Sequence, residues 1–159
     1  MKKTNAWLGE KDYLFITSKT PIPTVDLVVL RQKMKLEVLL VARKTGYAKG
    51  LWCIIGGRIW KGETVKDCLE RQAKDLGVKV AIYPPFDFNF PALVNDHLNQ
   101  DKTKQSICNV YPVKISKGEV RYEGEEYKRF GWFPVDQLPK LAFDHEFEVK
   151  ETVKRFKAI

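Results

Sequence analysis

Residues 56–78 read GGRIWKGETVKDCLERQAKDLGV, a pair of glycines followed by carboxylates set at intervals along a helical stretch. Glycine has no side chain, so Gly56 and Gly57 let backbone amides approach a ligand closely. Carboxylates facing such a loop across a wet pocket can seat a divalent cation. Magnesium takes oxygen ligands, keeps several waters and bridges carboxylates to substrate phosphates. The alternative is a solvated helix whose acids do no more than keep it wet. With Glu63 at zero on a helical wheel and about 100° per residue, Asp67 falls near ~40°, Glu70 near ~340° and Asp75 near ~120°. Val65, Cys68, Leu69, Ala73 and Leu76 make a buried stripe over roughly 140° to 280°. Glu63, Asp67 and Glu70 are therefore expected to point away from the core, with Asp75 at its edge. Gln72, at about 180°, lies inside the stripe and needs hydrogen-bond partners. In the plain reading Gln72 bonds to a loop and Asp75 pairs with Arg71 or Lys74; in the sharper one this strip faces a cation. Spacing leaves both open.

The elements that must position these groups are legible in outline. Thr64 caps the helix, Asp67 completes a capping box, and Gly77 ends it. Upstream, residues 24–30 (TVDLVVL) and 37–43 (EVLLVAR) are dense in β-branched and apolar residues and are separated by a polar turn, the pattern of two buried strands. Residues 51–55 (LWCII) form a third apolar run, closed by the paired glycines. Residues 78–83 and 106–115 read as further strands, 119–122 and 130–133 as shorter ones, and 146–156 as a closing helix. Strands, helix, strands, helix predicts an α/β (α+β) sandwich, a mixed sheet with helices on both faces.

The chain has 159 residues, the size of one domain, 1–159, and 44% of them are apolar, enough for a real core. A formal charge of +8 favours phosphate-bearing partners. The basic residues are interleaved with acids from Lys2 to Lys157, without an arginine-rich run, zinc-ligand spacing or a repeated aromatic-basic pattern, which argues against nucleic acid and for a nucleotide. Cys53, Cys68 and Cys108 are an odd number, far apart and in apolar surroundings, which predicts reduced core cysteines and a cytoplasmic setting. No run approaches a membrane span of about 20 apolar residues, and Met1-Lys2-Lys3 is followed by polar residues.

The 57–77 segment resembles the Nudix box, the loop–helix–loop of hydrolases acting on nucleoside diphosphates linked to another group. That box is a Gly, five residues, Glu, seven residues, Arg-Glu, an apolar residue, any residue, Glu-Glu, any residue, Gly. Gly57, Glu63 and Arg71 match its first half; Gln72, Asp75 and Leu76 stand where the box has acids, and Gly77 arrives one residue early. Gly50-Leu51-Trp52 and Gly131-Trp132-Phe133 also resemble the family, so the similarity spans roughly residues 20–150. The reduced box, with Asp26, Arg43 and Arg58, is similar to the GDP-mannose mannosyl hydrolase branch.

The resemblance implies a Nudix-type α/β/α sandwich and a divalent cation, Mg2+ or Mn2+, held by Asp75 and Glu126 with the Gly57 carbonyl and Gln72. Glu63 would support the loop or the metal. Asp26, Arg43 and Arg58 would bind the nucleoside diphosphate. Tyr127 falls where that branch has a catalytic His, and a tyrosine with a pKa near ~10 is a poor base. His97, in the polar segment 95–105, could close over the pocket or simply be a solvated loop residue. His145 could be catalytic or could only cap the last helix. Trp52 and Trp60 read first as packing residues, with Trp60 the better candidate for a ligand contact. Glu125 and Glu126 read by themselves as solvated turn acids. Three functions remain: a nucleotide-sugar hydrolase such as one for GDP-mannose, a pyrophosphatase of ADP-ribose or a dinucleotide, and a binding module that no longer cleaves. The family resemblance also implies a homodimer.

Overall fold

A computed structural model describes residues 8–46, 48–98, 104–122 and 126–158; Met1 to Lys3, residues 99–103 and Glu125 lie outside them. The described elements are α1 (Glu10–Thr17), β1 (Ile22–Gln32), β2 (Leu36–Arg43), β3 (Trp52–Cys53), β4 (Ile55–Arg58), α2 (Val65–Asp75), β5 (Val78–Ile82), β6 (Leu93–Asn95), β7 (Ser106–Gly118), β8 (Tyr127–Pro134) and α3 (His145–Lys157).

The two β-branched runs become β1 and β2, whose central residues are fully buried. A strand buried on both faces needs no polar alternation. The sheet runs β3-β2-β1-β7-β5, with β4 on β1, β6 on β7 and β8 on β2. The β1–β7 pair is parallel and the rest antiparallel, so the sheet is mixed. Helix α2 packs over β5, β1 and β4, and α3 over β7 and β6. Two apolar clusters result, one including Val25, Leu27, Leu69 and Ala73, the other Val28, Leu30, Val149 and Val153. Successive β1 residues alternate between these clusters, as the two-residue strand period requires. This is the α/β/α sandwich with a mixed central sheet.

Helix α2 begins with the expected reciprocal cap, in which Thr64 Oγ1 accepts from Asp67 N and Asp67 Oδ2 accepts from Thr64 N. It ends at Gly77, whose φ of 74° is the left-handed geometry that glycine adopts without strain.

Two expectations are corrected, and one element was not anticipated. Residues 51–55 do not form one strand: β3 pairs with β2 and β4 with β1, and the chain changes partner at Ile54. Residues 119–122 are not a strand; after Gly118 the chain crosses the end of α2, where Arg121 N donates to Leu76 O at 2.8 Å. Helix α1 was not foreseen because none of its residues is buried and no side chain caps it, so the sequence carries no apolar period there.

Candidate active site

A cavity of about 740 Å³ opens between the β4–α2 loop, the C-terminal half of α2, β1 and the start of β8. Its box wall is organised by Glu63 and Arg71. Arg71 Nε donates to Glu63 Oε1 at 2.7 Å, and Nη2 donates to Glu63 Oε2 and to the Arg58 carbonyl, both at 2.9 Å. Glu63 Oε2 also accepts from Trp60 N at 2.9 Å, and the Arg71 guanidinium stacks 3.9 Å from the Trp60 ring centroid. The hydrogen bond from Arg71 holds the Glu63 carboxyl below its usual pKa. Glu63 was expected to point away from the core, yet its side chain is only 7% exposed. The wheel does not apply to it, because it precedes the cap Thr64 and folds back over the first turn. Arg71 thereby pairs with Glu63, and Asp75 is left with the more distant charges of Arg71 and Lys74, while burial raises its pKa.

Gln72 points inward as the wheel requires. Its Nε2 donates to Val25 O at 3.0 Å and more weakly to Gly57 O at 3.4 Å, while its Oε1 is buried with no partner. This orientation is fixed, since turning the amide would set an oxygen against two carbonyls. Asp75 and Glu126 line the same cavity; Glu126 Oε1 lies 3.3 Å from Arg43 Nη2. An orphaned amide oxygen and two carboxylates on the lining of one cavity offer oxygen donors only, the kind a hard divalent cation takes.

The back wall is different. Asp26, on β1, is 5% exposed, and the missing side chain of Gly56 is what admits its carboxylate: a Cβ there would fall on Asp26 Oδ1. At Gly57 a Cβ would meet only the Gln72 amide, at 3.6 Å. The paired glycines thus make room first for the protein's own side chains, not for a ligand. Burial, reinforced by the Glu148 charge, pushes the Asp26 carboxyl up to about 7. His97 is not a solvated loop residue; it is 7% exposed, and its Nε2 lies 2.5 Å from Glu148 Oε1. Burial opposes its charged form, but the Glu148 hydrogen bond and the surrounding carboxylates prevail and raise its pKa. His145, the first residue of α3, is buried and accepts from Ile54 N at Nδ1 (3.3 Å); burial first, then His97, lowers it to about 3. It is therefore neutral, with its proton on Nε2, which faces Asp26 Oδ2 at 3.8 Å and Glu148 Oε2 at 4.0 Å.

Of the expected site residues, Asp26, Arg43, Gly57, Arg58, Trp60, Gln72, Asp75, His97, Glu126 and Tyr127 line this one cavity, whereas Glu63 stands behind it through Arg71. Arg58 also lies 6.0 Å from the Tyr13 ring centroid of α1. Tyr127 is 8% exposed, and burial pushes its phenol well above the ordinary value, so it stays protonated at neutral pH. Trp52 packs edge-on against Phe133 at 4.8 Å. Two residues went unremarked in the sequence as site groups, Glu148 and Cys108. A wheel on the last helix would have exposed Glu148, which shares the buried face with Val149, Thr152 and Val153.

Oxygen donors on a loop–helix wall, facing arginines across a hollow, suit the hydrolysis of a phosphorylated small molecule. The NUDIX domain family matches residues 20–156, and the chain belongs to it. It is 27% identical over 136 residues to the ADP-ribose pyrophosphatase of Methanocaldococcus jannaschii, covering 84% of this chain and 74% of that one. It is 28% identical over 105 residues to the NAD-capped RNA hydrolase NudC of Chromobacterium violaceum, covering 65% of this chain but only 36% of that longer one. The NUDIX domain of Shewanella oneidensis NrtR, solved with ADP ribose, superposes with a TM-score of 0.69 at 26% identity, over 94% of this chain and 99% of that one. These relatives are of the ADP-ribose and NAD-capped RNA type rather than of the expected GDP-mannose mannosyl hydrolase branch. The chain is a Nudix hydrolase, of the class acting on nucleoside diphosphate derivatives.

Proposed function

We propose that the chain is a divalent-cation-assisted pyrophosphatase of ADP-ribose, or of a close relative in which a nucleoside diphosphate carries a sugar, with water attacking phosphorus. The observation that carries this reading is the meeting of Gln72, Asp75 and Glu126 with Arg43 and Arg58 around one cavity. Gln72 Oε1, Asp75, Glu126 and the Gly57 carbonyl would hold magnesium, with manganese as a substitute. Such an ion lowers the charge of the diphosphate and orients the attacking water.

Arg43 and Arg58 bind the diphosphate. Arg43 brings a buried Nε without a partner, which a phosphate oxygen would satisfy. Arg71 and Glu63 fix the loop that presents Trp60 to the ligand. The water oxygen bonds to one phosphorus, the bridging P–O bond breaks, and the protons leave to solvent, giving AMP and ribose 5-phosphate. Tyr127 supports attack at phosphorus over attack at the sugar carbon, because its protonated phenol offers no base where the mannosyl branch has its histidine. Three free, buried cysteines support a reducing compartment such as the cytoplasm.

The test offers ADP-ribose and GDP-mannose with magnesium in oxygen-18 water and follows the label. AMP and ribose 5-phosphate, one of them labelled on phosphate, are expected. GDP with labelled free mannose would move attack to carbon, and tight ADP-ribose binding without turnover would make the domain a sensor. Asp75→Ala and Glu126→Ala each lower kcat/KM at least about 100-fold; rates equal to the unsubstituted protein would remove both from the site.

A further inference from the structure

At the back wall of the cavity, which Asp26 and His97 line, Asp26 of β1, His97 after β6, Cys108 of β7 and Glu148 of α3 bring one donor atom each within 4.8 Å of one another, and all four residues are buried. Among the described residues no other set of three or more such donors gathers this closely, and this set shares no residue with the box-wall donors. Hydrogen bonds within the cluster leave its charge unresolved. Glu148 is 0% exposed, with Oε1 bonded to His97 and to Asn95 Nδ2 at 3.2 Å, yet its Oε2 has no hydrogen-bond partner. A fully buried carboxylate oxygen without a donor is a costly thing to keep, and a cation beside it removes that cost.

We propose that these four side chains form a closed, structural zinc site that ties β1, β7, α3 and the segment after β6 together at the back of the cavity. The donor set selects the metal: one thiolate, one imidazole and two carboxylates suit tetrahedral zinc and are wrong for magnesium or calcium, which take oxygens alone. Tetrahedral bonds of about 2.0–2.3 Å set neighbouring donors about 3.3–3.8 Å apart, so the most distant pair closes by about 1 Å, the scale of a side-chain adjustment. The Cys108 thiol proton and the proton that His97 Nε2 shares with Glu148 pass to solvent as the sulfur–zinc, nitrogen–zinc and carboxylate–zinc bonds form.

His145 is not a ligand. The Ile54 amide occupies its Nδ1, and its Nε2 faces Asp26 Oδ2 at 3.8 Å and Glu148 Oε2 at 4.0 Å, beyond hydrogen-bond reach of either.

The experiment uses the full chain, stripped of metal and reloaded with zinc or cobalt(II). One equivalent per chain by native mass spectrometry is expected, with a sulfur-to-cobalt charge-transfer band in the near ultraviolet. The band persists in a Cys53→Ala/Cys68→Ala protein. It is lost in Cys108→Ser, and zinc affinity falls at least about 100-fold in Cys108→Ser and in Glu148→Gln. Should Cys108→Ser not fold, the band in the Cys53→Ala/Cys68→Ala protein decides, because only Cys108 remains to produce it. Asp75→Ala keeps the band, which separates this site from the box wall. A folded protein that binds no stoichiometric zinc, or cobalt bound without the thiolate band, would show a proton-sharing cluster only and overturn the proposal.

Discussion

Glu63 and Asp26 are both carboxylates with little exposure, Asp26 on the lining of the cavity and Glu63 behind it through Arg71, and their pKa values are shifted in opposite directions. On the box wall Arg71 binds both oxygens of Glu63, and that partner holds the acid's pKa down. On the back wall burial comes without a cationic partner of that kind, the neighbouring Glu148 adds like charge, and Asp26 rises to about 7. Burial alone does not decide the state of an acid; what faces it does. The box wall is closed upon itself and presents Trp60 and Asp75 outward. The back wall leaves Glu148 Oε2 buried without a hydrogen-bond donor.

The largest effect that tests this contrast is expected at the two glycines. Gly56→Ala drives a methyl group into the Asp26 carboxylate and should cost about 3 kcal/mol or abolish soluble folding. Gly57→Ala meets an ordinary contact with Gln72 and should cost under about 1 kcal/mol, as read by denaturant unfolding. Equal losses at the two positions would break the assignment of one glycine to each wall.

A smaller effect is expected from Arg71→Ala, which strips the mostly buried Glu63 of two hydrogen bonds and frees the Trp60 loop. Stability should fall by about 2–3 kcal/mol, and kcat/KM about 100-fold, since the loop positions the diphosphate end. Arg71→Lys should recover less than half of either loss, because a point charge cannot serve two oxygens and a carbonyl together.

The smallest effect is a pH dependence. The folded pKa of Glu63 lies below its unfolded value, so its contribution is present above pH 4.5 and is lost as the pH falls through the folded value. Thermal melts of Glu63→Gln should therefore converge toward those of the unsubstituted protein as the pH drops below 4.5. A gap that stays constant with pH would mean that Arg71 does not hold Glu63 as the charged form.

How far the site could be read in advance depended on how local its causes were. The capping box at Thr64 and Asp67, the left-handed stop at Gly77 and the inward turn of Gln72 each follow from fewer than about eight neighbouring residues and a fixed helical period. The wheel failed at Glu63 because one residue before the cap the helical angles no longer hold. It gave no warning of His97, which is placed by pairing with a helix 51 positions later. Helix α1 escaped because a helix that buries nothing leaves no period to find.

By itself the sequence determined the sandwich and the capped helix, since alternation, helical period and capping act between near neighbours whatever the rest of the chain does. Only the tertiary structure decided that Glu63 serves Arg71, that Gly56 makes room for Asp26, and that Asp26, His97, Cys108 and Glu148 form one buried cluster. Those facts depend on which strands and helices meet, and the desolvation that sets their charge begins only once they have met.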